Sequence, residues 1–128
     1  MTTSIGGSTV LATNSQALAI GLSALLLSIP PISQVNVVAD VGSMLQVVTE
    51  KKPILVILDI PLVGPRLDET TRELRLASPQ ALHVLLSDNV TQFRELFYHS
   101  QELVIVKGTD PARLARSLEI LLNGHVSA

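Results

Sequence analysis

Ile54-Leu55-Val56-Ile57-Leu58-Asp59 is a run of five aliphatic residues closed by a carboxylate. A run this short and this apolar reads as a buried strand. Two further runs end the same way: Val84-Leu85-Leu86 on Ser87, and Leu103-Val104-Ile105-Val106 on Lys107. A fourth segment, Thr9-Val10-Leu11-Ala12-Thr13, ends on Asn14-Ser15. In an open parallel sheet the carboxyl ends of neighbouring strands meet at one edge, and ligands sit there. Asp59, Ser87 and Lys107 are therefore expected to converge on one site, with Asn14 and Ser15 beside it.

Between these runs lie longer segments with helical periodicity, the alternation expected of βαβ units. Strands are expected near 9–13, 35–38, 54–58, 83–86 and 103–106, and helices near 16–28, 41–50, 67–77, 90–99 and 110–122. The result is an α/β, flavodoxin-like doubly wound five-stranded parallel sheet of order 2-1-3-4-5, with five helices. Residues 1–7 form a Ser/Thr/Gly-rich lead-in, 8–124 the domain, and 125–128 a tail. Ser15 is placed to cap the first helix. Asp110-Pro111 is a cap followed by proline at the first helical position, and Gly124 is placed to stop the last helix. Phe93, Leu96 and Phe97 share one face of the fourth helix and read as core, while Tyr98 points outward.

This layout resembles the receiver domain of bacterial two-component response regulators, over roughly residues 8–124. In that family the first strand ends in an acidic pair that binds Mg²⁺, the third in the phosphate-accepting Asp, the fourth in Ser or Thr and the fifth in Lys. The resemblance makes Asp59 the candidate phospho-acceptor and Ser87 and Lys107 its phosphate-site partners. Gly108-Thr109-Asp110-Pro111 is similar to the receivers of LuxR-type regulators. The departures are as specific as the matches. Asn14 and Ser15 occupy the acidic-pair positions, Val104 stands where an aromatic switch residue is common, and Pro61 and Pro65 flank Val63-Gly64 where the family places Pro beside Gly.

Mg²⁺ is held by carboxylates, phosphate oxygens and water, and gives up its water reluctantly. Asn and Ser offer only neutral oxygens. With Asp59 as the only certain carboxylate and the Pro61 carbonyl as a weak further ligand, no metal or other cofactor is expected to bind well. Asp88 adds a carboxylate next to Ser87, though its direction is not legible. Two readings of Asp59 follow: a phosphoryl acceptor served by a histidine kinase, or a structural ion pair with Lys107 capped by Ser87. The second makes the chain a pseudo-receiver, not an enzyme, acting by protein–protein contact. A flavin-binding reading lacks the phosphate loop that would follow the first strand, here Asn14-Ser15-Gln16.

Composition narrows the rest. The chain has 128 residues, one domain's worth, with no Cys to build a disulfide framework, and it reads as cytoplasmic. Nine basic residues against eleven acidic ones leave no footprint for nucleic acid. The scattered His83, His99 and His125 do not form a zinc pattern. No Lys or Arg precedes Lys51, so the apolar stretch 17–29, closed by Pro30-Pro31, lacks the features of a signal peptide or a membrane span.

That stretch is nevertheless unusual. Leu18, Leu22, Leu25 and Ile29 make a core stripe, yet Ile20, Ala24 and Leu27 lie on the other side. Large exposed apolar patches are uncommon on monomers. Ile20, Ala24 and Leu27 are thus the expected interface of a homodimer, or of a signalling protein partner. The alternative dimer surface is the fourth helix, fifth strand and fifth helix.

Overall fold

The computed structural model describes residues 7–99 and 102–127, the side chains at 97–99 and 125–127 excepted. Five parallel strands, β1 (Gly7–Ala12), β2 (Ile32–Val38), β3 (Leu55–Asp59), β4 (Leu82–Ser87) and β5 (Leu103–Val106), form one sheet in the order β2-β1-β3-β4-β5. Helices α1 (Gln16–Leu27), α2 (Val41–Lys51), α3 (Leu67–Ala77), α4 (Val90–His99) and α5 (Pro111–Ser127) alternate with them. The architecture is the doubly wound one expected. Residues 1–6 of the expected lead-in 1–7, the side chains of Phe97 and Tyr98, and Ala128 lie outside the described residues, while Gly7 already belongs to β1.

Side-chain parity along the strands divides the core. Val10, Ala12, Val56, Leu58 and Leu85 face α2 and α3, meeting Met44, Val48 and Leu74, with Phe93 and Leu96 of α4 packed alongside. Leu11, Leu55, Ile57, Val84 and Leu86 face the other way, onto Leu22 and Leu26 of α1 and Leu114, Leu118 and Leu122 of α5. Each fully buried aliphatic side chain contributes about 1.5–3 kcal/mol. Those two layers therefore supply most of the drive to fold, and every residue of β3 is buried between them.

Local signals set the helix starts. Ser15 Oγ accepts from the Leu18 N–H at 3.2 Å to cap α1, and Asp110 Oδ2 accepts from the Arg113 N–H at 3.2 Å to cap α5. Asp40 caps α2 in the same manner, accepting from the Ser43 N–H at 2.7 Å. Gly108, at φ +86°, makes the turn out of β5 that L side chains resist.

Two boundaries differ most from expectation. β2 begins at Ile32, three residues before the expected 35, because it is an edge strand whose exposed Ser33 and Gln34 mask the alternation. Gly124 does not stop α5, which continues to Ser127. A helical Gly costs about 1 kcal/mol relative to Ala, too little to end a helix anchored by three buried leucines.

α1 carries no charged residue along its length. Its outer side is apolar and open: Ile20 is 69% and Leu27 52% exposed, and Ala24 lies exposed between them.

Candidate functional site

Asp59 ends β3 and is 2% exposed. β1 is its neighbour, and Ala12 pairs with Leu58, so the next residue of β1's chain, Thr13, stands level with Asp59. Thr13 is buried, and its hydroxyl donates to Asp59 Oδ2 at 2.7 Å. Thr13 Oγ1 in turn accepts from the Ser15 N–H at 3.1 Å, tying the entry of α1 to the carboxylate through the threonine.

On the far side, Lys107 follows β5 directly. Its ammonium lies 2.5 Å from Asp59 Oδ1, as an ion contact without the alignment of a hydrogen bond; no other donor described reaches that oxygen. The ammonium also donates to Asp88 Oδ1 at 2.7 Å. Burial by itself would depress the Lys107 pKa, but attraction to Asp59 and Asp88 more than reverses this, and the group titrates above the usual lysine value.

Asp59 and Lys107 thus come together as expected, but Ser87 does not cap them. Its hydroxyl is fully buried and points at the carbonyls of Asn89 and Ile105, each 3.4 Å away. Asn14 and Ser15 are not the side chains that face Asp59 either. Asn14 is exposed, and Ser15 is occupied as the α1 cap. The residue that reaches Asp59 is Thr13, one position earlier, and the strand register is the signal that finds it. Asp88 turns toward Lys107, a direction its place in a loop concealed.

Mg²⁺ does not fit the donor set at this edge. Among the described residues at this edge Asp59 offers the one buried carboxylate, with the Thr13 hydroxyl on one oxygen and the Lys107 ammonium against the other. A hollow of about 310 Å³ opens beside it, lined by Thr13, Asn14, Ser15, Gln16, Ala19, Val37 and Ala39, none of them charged. Pro61 lies exposed in the 3-10 turn Ile60–Leu62 after Asp59. Among the described residues no group of three or more His, Cys, Asp or Glu side chains is placed to hold a metal. Asp59, Asp88 and Lys107 together carry a net charge of −1, which repels an incoming phosphoryl donor.

The chain is similar in structure to a LuxR-family two-component response regulator from an Aurantimonas species, with TM-score 0.77 and 24% identity over 94% of this chain and 87% of that one. The fold is that of response-regulator receiver domains. The receiver fold is matched equally by a CheY-like receiver domain protein from Methanospirillum hungatei, at TM-score 0.78 and 14% identity over 96% of this chain and 98% of that one. It is matched again by the response regulator domain of Thermotoga maritima CheB, at TM-score 0.72 and 14% identity over 97% and 98%. By sequence, no family profile and no curated protein matches the chain. At these identities the likeness is one of fold, and the chemistry rests on the site itself. Val104, at the receiver position where an aromatic switch is common, is buried in the core. Among the described residues no helix is long and apolar enough to cross a membrane.

Proposed function

We propose that this chain is a pseudo-receiver, a cytoplasmic signalling module that works by protein–protein contact without Mg²⁺-dependent phosphorylation of Asp59. The observation that carries the reading is the occupancy of Asp59: Thr13 holds one carboxylate oxygen and Lys107 the other. Phosphoryl transfer depends on positioning and on neutralising charge, and a second carboxylate to recruit Mg²⁺ is missing from the β1 side. Asp59 then serves as one half of a structural ion pair.

The contact we assign to this module is with a second copy of itself, through Ile20, Ala24 and Leu27 of α1. These side chains are exposed, apolar and uninterrupted by charge. An isologous contact brings each residue against its own neighbours, so a charge-free face meets itself without repulsion.

The deciding experiment exposes the protein to a small-molecule phosphodonor and Mg²⁺ and measures the intact mass. No stoichiometric acyl phosphate is expected. Rapid, Mg²⁺-dependent labelling that Asp59→Asn abolishes would establish the competing reading, a phosphoryl acceptor for a histidine kinase.

A further inference from the structure

Lys107 serves two carboxylates, and the second is attached to α4. Asp88 is the first residue after β4, and α4 begins two positions later at Val90. The link between them is knitted by its own hydrogen bonds. The Gln92 N–H donates to Asn89 Oδ1 at 2.9 Å, and Gln92 Oε1 accepts from the Asp88 N–H at 2.7 Å. The Phe93 N–H donates to the Asn89 carbonyl at 3.0 Å. This arrangement is similar to a capping box, with Asn89 as the cap and Gln92 reaching one residue further back to Asp88, so side-chain hydrogen bonds join Asp88 to the first turn of α4. The Asp88–Lys107 ion pair, 2.7 Å long, ties that turn to the carboxylate at the sheet edge. Ser87, adjacent in sequence, directs its hydroxyl to the Asn89 and Ile105 carbonyls instead of to Asp59.

We propose that Asp88 is a built-in anchor: through Lys107 it holds the N-terminal end of α4 in one position, so the surface presented by α4 is set by a charge of the chain itself and not by a bound group. The inference rests on the reading of the chain as a pseudo-receiver and adds how that site is connected to its surroundings. Lys107 is suited to the task because Asp59 fixes it from below, leaving its remaining N–H groups to reach outward. Asp88 is half-exposed, so the anchor is a local one, weaker than the core it is tied to.

The test is amide hydrogen exchange on the full chain, without phosphodonor, read at Gln92 and Phe93, whose intrinsic rates do not depend on the side chain at 88. Asp88→Asn is expected to speed exchange there by about two- to fivefold, the range for one partly exposed ion pair. Amides of β1 and β3 should keep their wild-type rates. Asp88→Glu, which keeps the charge, should stay near wild type. Unchanged rates at Gln92 and Phe93 in Asp88→Asn would overturn the proposal. So would an equal acceleration across the whole sheet, or an Asp88→Glu variant as fast as Asp88→Asn. Phosphorylation of the wild type would defeat the pseudo-receiver reading without altering these ratios, so the two failures are told apart.

Discussion

Thr13 donates its hydroxyl to Asp59 across the boundary between β1 and β3, 2.7 Å from oxygen to oxygen. This neutral contact occupies the side of Asp59 on which a receiver of ordinary chemistry would need a carboxylate. The same threonine accepts from the Ser15 N–H, so the site is joined to the start of α1 by side-chain chemistry that carries no charge.

Placing carboxylates at that position should create a metal site. Thr13→Asp with Asn14→Asp puts one beside Asp59 and a second next to it. Without metal the variant should be less stable than wild type, through like-charge repulsion. Mg²⁺ should restore the loss, because bound ligand stabilises the folded state. Thermal unfolding with and without Mg²⁺ measures this, and a melting temperature indifferent to Mg²⁺ would show that the geometry is wrong.

Removing Asp59 tests the ion pair. Breaking a buried pair costs about 3–5 kcal/mol, and Asp59→Ala should fall at the lower end because Asp88 keeps a partner on Lys107. Asp59→Asn should cost less, since it retains shape and can still accept from Thr13. Urea denaturation of the three proteins gives the ranking. An Asp59→Ala protein as stable as wild type would remove the structural role.

Thr9 offers a gain. Its hydroxyl is fully buried in β1 and finds no hydrogen-bond partner among the described residues. An unmatched buried polar group costs about 1–3 kcal/mol, and Val has nearly the same shape. Thr9→Val should therefore raise stability by about 1 kcal/mol, read as a higher urea midpoint at unchanged slope.

The pKa of Lys107 is raised on folding by Asp59 and Asp88 against the opposing effect of burial. A group with a folded pKa above its unfolded one contributes fully below the unfolded value, and the contribution is lost as pH climbs through the folded value. Stability from this lysine should be constant through neutral pH and decline above about 10.4. Lys107→Met should lack that part of the alkaline decline. Parallel alkaline limbs in the two proteins would contradict the assignment.

The α1 contact can be broken with one charge. A standard interface buries about 800 Å² per partner and fails when an unpaired charge is placed at its centre. Light scattering at micromolar concentrations should find a dimer for the wild type and a monomer for Ile20→Glu. A monomeric wild type would eliminate self-association, and a dimeric Ile20→Glu would move it to another face.

The fold was legible because its strands are aliphatic runs punctuated by polar residues, a pattern that burial on both sheet faces demands. Asp59 and Lys107 were legible for the same reason: each terminates such a run. Thr13 was obscured by a single step of register. Strand ends are blurred in sequence, and moving one residue along a strand exchanges the faces on which side chains lie. The direction of Asp88 was left open, and the Ser87 hydroxyl was expected over the ion pair, for a different cause. The direction of a side chain in a turn depends on tertiary partners, here Lys107 for Asp88 and two carbonyls for Ser87.

The uncharged outer side of α1 dictates how any contact made through it would respond to solvent. There are no ion pairs on that helix for dissolved salt to screen. Moderate sodium chloride should leave such a contact intact, and sulfate, which is excluded from protein surfaces, should tighten it. Cooling should loosen it, because burial of apolar surface loses driving force as water grows colder. A complex of this kind is held by the solvent around it, and its strength would follow temperature and the choice of salt more closely than ionic strength.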